Sequence, residues 1–189
     1  MKILVLDNYD SFTYNLVHIL KELGKGEVDV FRNDEISLDD VGRYDKILIS
    51  PGPGLPGQAG ITKELISRYG PSKGILGVCL GCQAIAEVYG GTLINLSKVY
   101  HGVETNIHVI NEGSILFKGI PEVFTAGRYH SWVVSEEGLP SVITVTAKDD
   151  EGRVMALEHA EYDVRGVQFH PESVMTEHGK QILLNWLNI

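Results

Sequence analysis

The sequence predicts a single α/β domain over residues 1–189: a mostly parallel central sheet flanked by helices, with an added antiparallel β extension. Three observations predict it. As far as Gly90, short apolar β-type runs alternate with helix-period segments, the pattern of βαβ units whose right-handed crossovers make strands parallel. Beyond Gly90-Gly91 the texture changes to short β segments with turns between them, which pair as hairpins. A last strand and an amphipathic helix close the chain, and no linker, repeat or low-complexity segment divides it.

Residues 2–7 read as a buried first strand, followed by the loop Asn8-Tyr9-Asp10-Ser11. Asp10 or Ser11 is placed to cap a helix over 12–23, with Phe12, Leu16, Ile19, Leu20 and Leu23 as its apolar stripe and Gly24 as its stop. Strands follow at 28–31 and 44–50, with one helical turn at 37–41 between them. The loop Ser50-Pro51-Gly52-Pro53-Gly54-Leu55-Pro56-Gly57 is too rich in Pro and Gly for regular structure, and a helix over 59–69 leads to the strand 75–78. A helix over 83–89 comes next. The short β segments fall at 92–96, 104–110, 122–126, 132–134, 142–147 and 153–159, with Asp149-Asp150-Glu151-Gly152 as a hairpin turn. The last strand covers 164–169, and Thr176 is placed to cap the final helix over 176–187.

Composition narrows the partners. With 43% hydrophobic and 22% charged residues, the 189-residue chain can bury an ordinary core. No apolar run is long enough to span a bilayer, and the first seven residues are too short for a signal core, so no membrane is expected. A net charge of -9 argues against nucleic acid and for a small-molecule or protein partner. Two cysteines without an export signal point to a reducing cytoplasm.

The chemistry gathers at Gly77-Val78-Cys79-Leu80-Gly81-Cys82-Gln83. A cysteine on a sharp strand-to-helix turn between two small neighbours is a nucleophile elbow, and the helix behind it directs free N–H groups at the sulfur. Two blander readings compete: a buried core cysteine, or a Cys79–Cys82 C-x-x-C redox pair or half zinc site. The zinc reading lacks a second pair, and the redox reading explains neither glycine. The Gly52 and Gly54 loop leaves the carboxyl end of a strand, as the elbow does, which is where open parallel sheets bind ligands. His170-Pro171-Glu172 follows the last strand and reaches that rim if this strand is parallel. Alone, a His two residues before a Glu is a solvated surface pair more often than not.

Together, Ser50-Pro51-Gly52-Pro53-Gly54, the Cys79 elbow and Val167-Gln168-Phe169-His170-Pro171-Glu172-Ser173 resemble the class I, triad-type glutamine amidotransferases. The segments at 7–16, 128–132 and 172–179 are similar to the branch that serves chorismate-using synthases, and the resemblance covers essentially the whole chain. It implies Cys79 as nucleophile, His170 as general base and then acid, and Glu172 as the group that orients His170. It also implies an oxyanion hole from the Gly52 and Leu80 N–H groups, and a glutamine site at Gly54, Gln83, Ser131 and Trp132, the last two acting largely through their backbone. Cys82 takes a position often held by His in relatives and reads as a residue behind the site. Val103 replaces the usual Lys. His130 reads as structural, His18 and His108 as structural or solvated.

Further expectations follow from that resemblance. The chain carries no cofactor and no metal; magnesium belongs to the partner. Nothing in it could aminate chorismate, so the partner is a larger chorismate-binding synthase subunit, either component I of anthranilate synthase or component I of aminodeoxychorismate synthase. The glutaminase is expected to be weak until that subunit closes the site. Amination for anthranilate is the leading expectation, aminodeoxychorismate the near alternative, and GMP synthesis a more distant one. The different-class alternative is a catalytically silent binding or regulatory subunit.

Overall fold

A computed structural model describes residues 1–189. The chain runs β1 (Lys2–Asp7), α1 (Thr13–Leu23), β2 (Glu27–Arg32), α2 (Leu38–Val41), β3 (Lys46–Ile49), α3 (Thr62–Tyr69), β4 (Gly74–Val78) and α4 (Leu80–Val88). It continues through β5 (Leu93–Asn95), β6 (Val103–Val109), β7 (Val123–Arg128), β8 (Trp132–Val134), β9 (Ile143–Asp149), β10 (Val154–His159), β11 (Val164–Val167) and α5 (Gly179–Leu187). Nine strands form one sheet in the order β2-β1-β3-β4-β11-β10-β9-β6-β7. The first five run parallel, and from β11 outward every pairing is antiparallel.

Alternation along the strands explains why both faces are covered. Ile3, Val5, Leu48, Leu76 and Val78 point to one face and meet Leu16, Val17 and Leu20 of α1 and Ile182, Leu183 and Trp186 of α5. Leu4, Leu6, Ile47, Ile49 and Ile75 point the other way and meet Val41, Leu65, Ile66 and Tyr69 of α2 and α3, with Ala84 and Ile85 of α4. Parallel strands buried on both sides need continuous apolar runs, and these have them.

Several boundaries differ from the sequence expectation. Neither Asp10 nor Ser11 caps α1: Asp10 Oδ1 accepts from Phe12 N at 2.8 Å, and Phe12 is the N-cap with no side-chain bond. Phe12 is half-buried and leaves the helix stripe for the site, its ring 5.9 Å from that of His170. The helix expected over 59–69 starts at Thr62, because Pro56–Gln58 make a separate 3₁₀ turn and Gly60 has φ +50°. Thr176 does not cap α5, whose N-cap is His178 in the left-handed region. The Thr176 hydroxyl is taken by the carbonyl of His170 at 2.6 Å and by the N–H of Gly127 at 3.0 Å. Finally, β5 and β8 form their own two-stranded antiparallel sheet rather than joining the extension.

The topology places the site. β11 is parallel to β4 and pairs in register, Gly166 with Gly77 and Val167 with Val78. The segment carrying Gln168 and His170 and the elbow carrying Cys79 therefore leave the sheet side by side at one rim.

Candidate active site

Cys79 sits directly between β4 and α4 with φ 52° and ψ -102°, a positive-φ conformation rare for a residue with a side chain. Such a position costs on the order of 1–3 kcal/mol and persists only where the surroundings hold it. Here Cys79 N donates to Val167 O at 2.8 Å and Cys79 O accepts from Gln83 N at 3.1 Å. The two glycines serve the backbone turn itself. A Cβ on Gly77 would lie 2.4 Å from the carbonyl carbon of Gly81, and one on Gly81 would lie 2.7 Å from Ile49 O. The helix starts at Leu80, three residues before the expected start, so Gly81 is a helical residue packed directly against β3.

His170 is delivered from the neighbouring strand end, its N–H bonded to Gly127 O at 3.1 Å. Its Nδ1 lies 2.6 Å from Glu172 Oε1, and both side chains are almost wholly buried. Pro171 separates the two residues and their side chains meet within the protein rather than in solvent. Burial alone would depress the imidazole, but its contacts and charge interactions with Cys79 and Glu172 outweigh that and hold its pKa up at about 10. Nε2 is buried without a hydrogen-bond partner of normal geometry and is the ring nitrogen left for the neighbouring thiol. The rings of Tyr129 and Phe12 pack near the imidazole, the Tyr129 ring edge-on at 4.8 Å.

A cleft of about 220 Å³ opens on Cys79 and is lined by Gly52, Gly54, Leu80, Gln83, Ser131 and Trp132 among others. His170 and Cys79 also border a second opening of about 400 Å³, with Tyr9, Ser11 and Phe12 on its wall. The Gly52 loop is anchored by Asn8: its Nδ2 donates to Ser50 O at 3.0 Å, and a Cβ on Gly52 would meet the Asn8 Cβ at 2.6 Å. Neither Gly52 N–H nor Leu80 N–H has an acceptor within the chain. Gly54 needs its φ of +73°, and Ser131 O is tied to Leu96 N at 2.7 Å where β5 meets β8.

Three residues carry roles at the site that the sequence motifs did not assign. Gln168, fully buried, places its Nε2 3.6 Å from Cys79 Sγ. His130, read as structural, holds Trp132 O from Nδ1 at 2.9 Å, while its Nε2 accepts from Arg128 Nε at 3.1 Å. Burial, then the Arg128 charge, pushes His130 down to about 3, so it is neutral. Arg128 is fully buried and paired with Asp149 at 2.6 Å. The only signal for them was position, since each stands within or beside one of the motifs. Cys82 packs into the core on the sheet face opposite Cys79, against Gly166, and burial pushes its thiol well up. Both cysteines are free. His18 is exposed, and His108 meets Asp150 at 2.6 Å on the surface. Val103 begins β6. No three His, Cys, Asp or Glu side chains are grouped to hold a metal ion, and no helix is long and apolar enough to cross a membrane.

The family model for glutamine amidotransferase class-I matches residues 4–189. The chain belongs to the class I glutamine amidotransferases. It is 46% identical over 187 residues to aminodeoxychorismate/anthranilate synthase component 2 of Bacillus subtilis, covering 98% of this chain and 95% of that one. To anthranilate synthase component 2 of Thermus thermophilus it is 48% identical over 190 residues, 99% and 92% of the two chains. It is also 45% identical to the bifunctional protein TrpGD of Thermotoga maritima, of whose length it spans only 32%. Among solved structures it superimposes, with a TM-score of 0.89 and 26% identity, on a protein assigned to GMP synthase from Thermoplasma acidophilum, over 100% of this chain and 92% of that one. The amidotransferase fold expected from the sequence is thus the fold observed.

Proposed function

We propose that this amidotransferase is the glutamine-hydrolysing component of a chorismate-using synthase, with anthranilate as the product. The observation that carries the chemistry is the convergence, from adjacent parallel strands, of a strained Cys79 and a buried His170–Glu172 pair 2.6 Å apart. In this reading the proton of Cys79 rests on His170 Nε2 before glutamine reacts, and the thiolate Sγ attacks the side-chain amide carbon of glutamine. The imidazolium is stabilised by Glu172 and then protonates the departing ammonia. The Gly52 and Leu80 N–H groups, unpaired within the chain, are the donors for the oxyanion, and losing one such donor costs about 3 kcal/mol in the transition state. Water hydrolyses the glutamyl thioester and frees the thiol. Gly54, Gln83, Ser131 and Trp132 line the cleft that takes the glutamine.

The acceptor is read from the relatives' names. Component 2 implies a component 1, and in this reading that partner is a separate chorismate-binding subunit that receives the ammonia; magnesium, if used, is expected to belong to that partner and not to this chain. Because the Bacillus subtilis relative is named for both aminodeoxychorismate and anthranilate, the folate-type product is the second reading. A silent subunit is disfavoured because Cys79, His170 and Glu172 are all present and assembled.

The test is anthranilate fluorescence from chorismate, with a component 1 subunit from the same genome. Glutamine should support product with the wild type and ammonium with or without this chain; Cys79→Ser should lower the glutamine-dependent rate by about 10³-fold or more and leave the ammonium rate unchanged. Product from ammonium but never from glutamine would overturn the assignment, and aminodeoxychorismate formation would select the second reading.

A further inference from the structure

Gln168 is fully buried yet spends its amide group on the reacting sulfur, Nε2 standing 3.6 Å from Cys79 Sγ. The orientation of that amide is fixed by its neighbours. The Trp132 carbonyl can only accept, so both groups that reach it must donate: Gln83 Nε2 at 2.8 Å and His130 Nδ1 at 2.9 Å. Arg128 Nε, which can only donate, holds the other His130 nitrogen as an acceptor at 3.1 Å, in agreement with that tautomer. Gln83 Nε2 has a second hydrogen, and it meets Gln168 Oε1 at 3.2 Å. Gln168 is left with its NH₂ toward the sulfur.

We propose that Gln168 is a hydrogen-bond donor to the Cys79 sulfur that positions the thiolate for attack, with its direction of donation set by the Gln83–Trp132–His130–Arg128 chain. The inference rests on the reading of Cys79 as nucleophile. Its physical content is simple: an N–H aimed at sulfur favours the charged form and adds no charge of its own, and Gln168 itself is fully buried. The titratable groups facing the sulfur are His170 with Glu172 behind it, Tyr100, His101, Tyr129 and His130 along the cleft, Tyr9 and Asp10 on the second opening, and Cys82 behind the elbow from α4; Gln168 is an uncharged side chain whose N–H is aimed at the sulfur. The same chain couples the glutamine cleft to the nucleophile, because Trp132 and Gln83 line the cleft and Gln83 orients Gln168.

The test uses the full chain and two variants of similar shape. Gln168→Met removes the donor; Gln168→Glu keeps the acceptor toward Gln83 and turns a carboxylate oxygen to the sulfur. Iodoacetamide alkylation of Cys79 is followed against pH, alongside a thermal unfolding midpoint and glutamine hydrolysis in the presence of component 1. The alkylation midpoint should move to higher pH in Gln168→Met and further in Gln168→Glu, and kcat should fall about tenfold to a hundredfold with KM changed much less. A Gln168→Met enzyme with the wild-type alkylation profile and kcat overturns the proposal and leaves Gln168 a space-filling residue. If Gln168→Met does not fold, Gln168→Glu decides: an unmoved midpoint overturns the proposal. Failure of the underlying reading is distinguishable, since the wild type itself would then hydrolyse no glutamine with its partner.

Discussion

His170 is a side chain whose protonation is strongly altered by its place in the fold. Its ordinary pKa near 6.5 is held up at about 10, burial being outweighed by Cys79 and Glu172. Between those values the folded chain keeps a proton that the unfolded chain releases. The pair's contribution to stability is therefore complete below pH 6.5 and is lost as the pH rises through about 10. Removing the carboxylate should weaken that dependence. In denaturant unfolding followed from about pH 6 to 10, Glu172→Gln is expected to lose less stability with rising pH than the wild type. Its glutamine turnover should fall by about 10²-fold or more, since the imidazolium that protonates the departing ammonia has lost its partner.

Elements explain why the elbow tolerates so little change. β4, the Cys79 turn and α4 fold back on one another with no space for a methyl group, as the 2.4 Å and 2.7 Å approaches at Gly77 and Gly81 show. Gly81→Ala should cost about 1–3 kcal/mol or more, since the obstruction is backbone and cannot swing away. Gly57, in the 3₁₀ turn of the Gly52 loop, has nothing within 4 Å of the position a methyl group would take, and Gly57→Ala should stay within about 0.5 kcal/mol of wild type. Urea unfolding of the two variants checks both. Equal tolerance at the two positions would show that the close backbone approach at Gly81 does not constrain the elbow.

Across the whole molecule, the antiparallel extension does more than widen the sheet. Arg128 at the end of β7 pairs at 2.6 Å with Asp149 at the end of β9, and both side chains are buried. Asp149 Oδ1 also accepts from the N–H groups of Glu151 and Arg153, so one carboxylate ties the β9–β10 turn, through Arg128 and His130, to the wall of the cleft that opens on Cys79. Asp149→Leu should cost about 3–5 kcal/mol by leaving the guanidinium unpaired, whereas adding Arg128→Met should recover part of that loss in a double-mutant cycle. The recovered part reads the buried charge, and the remainder reads the turn.

By itself the sequence determined the parallel half of the fold, because apolar runs of strand length alternating with amphipathic helices have few other solutions. It also determined the order of Gly52, Cys79, His170 and Glu172, since Gly, Pro and a bracketed Cys leave local signatures. Tertiary structure alone decided the rest. It put Cys79 beside His170 only because β11 is inserted next to β4 in parallel, although the two strands are far apart in the chain. It took Thr176 from helix capping to hold the His170 carbonyl, drew Phe12 out of its helix stripe, and separated β5–β8 from the main sheet. It also gave Gln168, His130 and Arg128 their partners. A hydrogen bond across 85 residues, such as Gln83 to Gln168, has no local pattern to announce it; its energy depends on burial and direction, which exist only once the chain has folded.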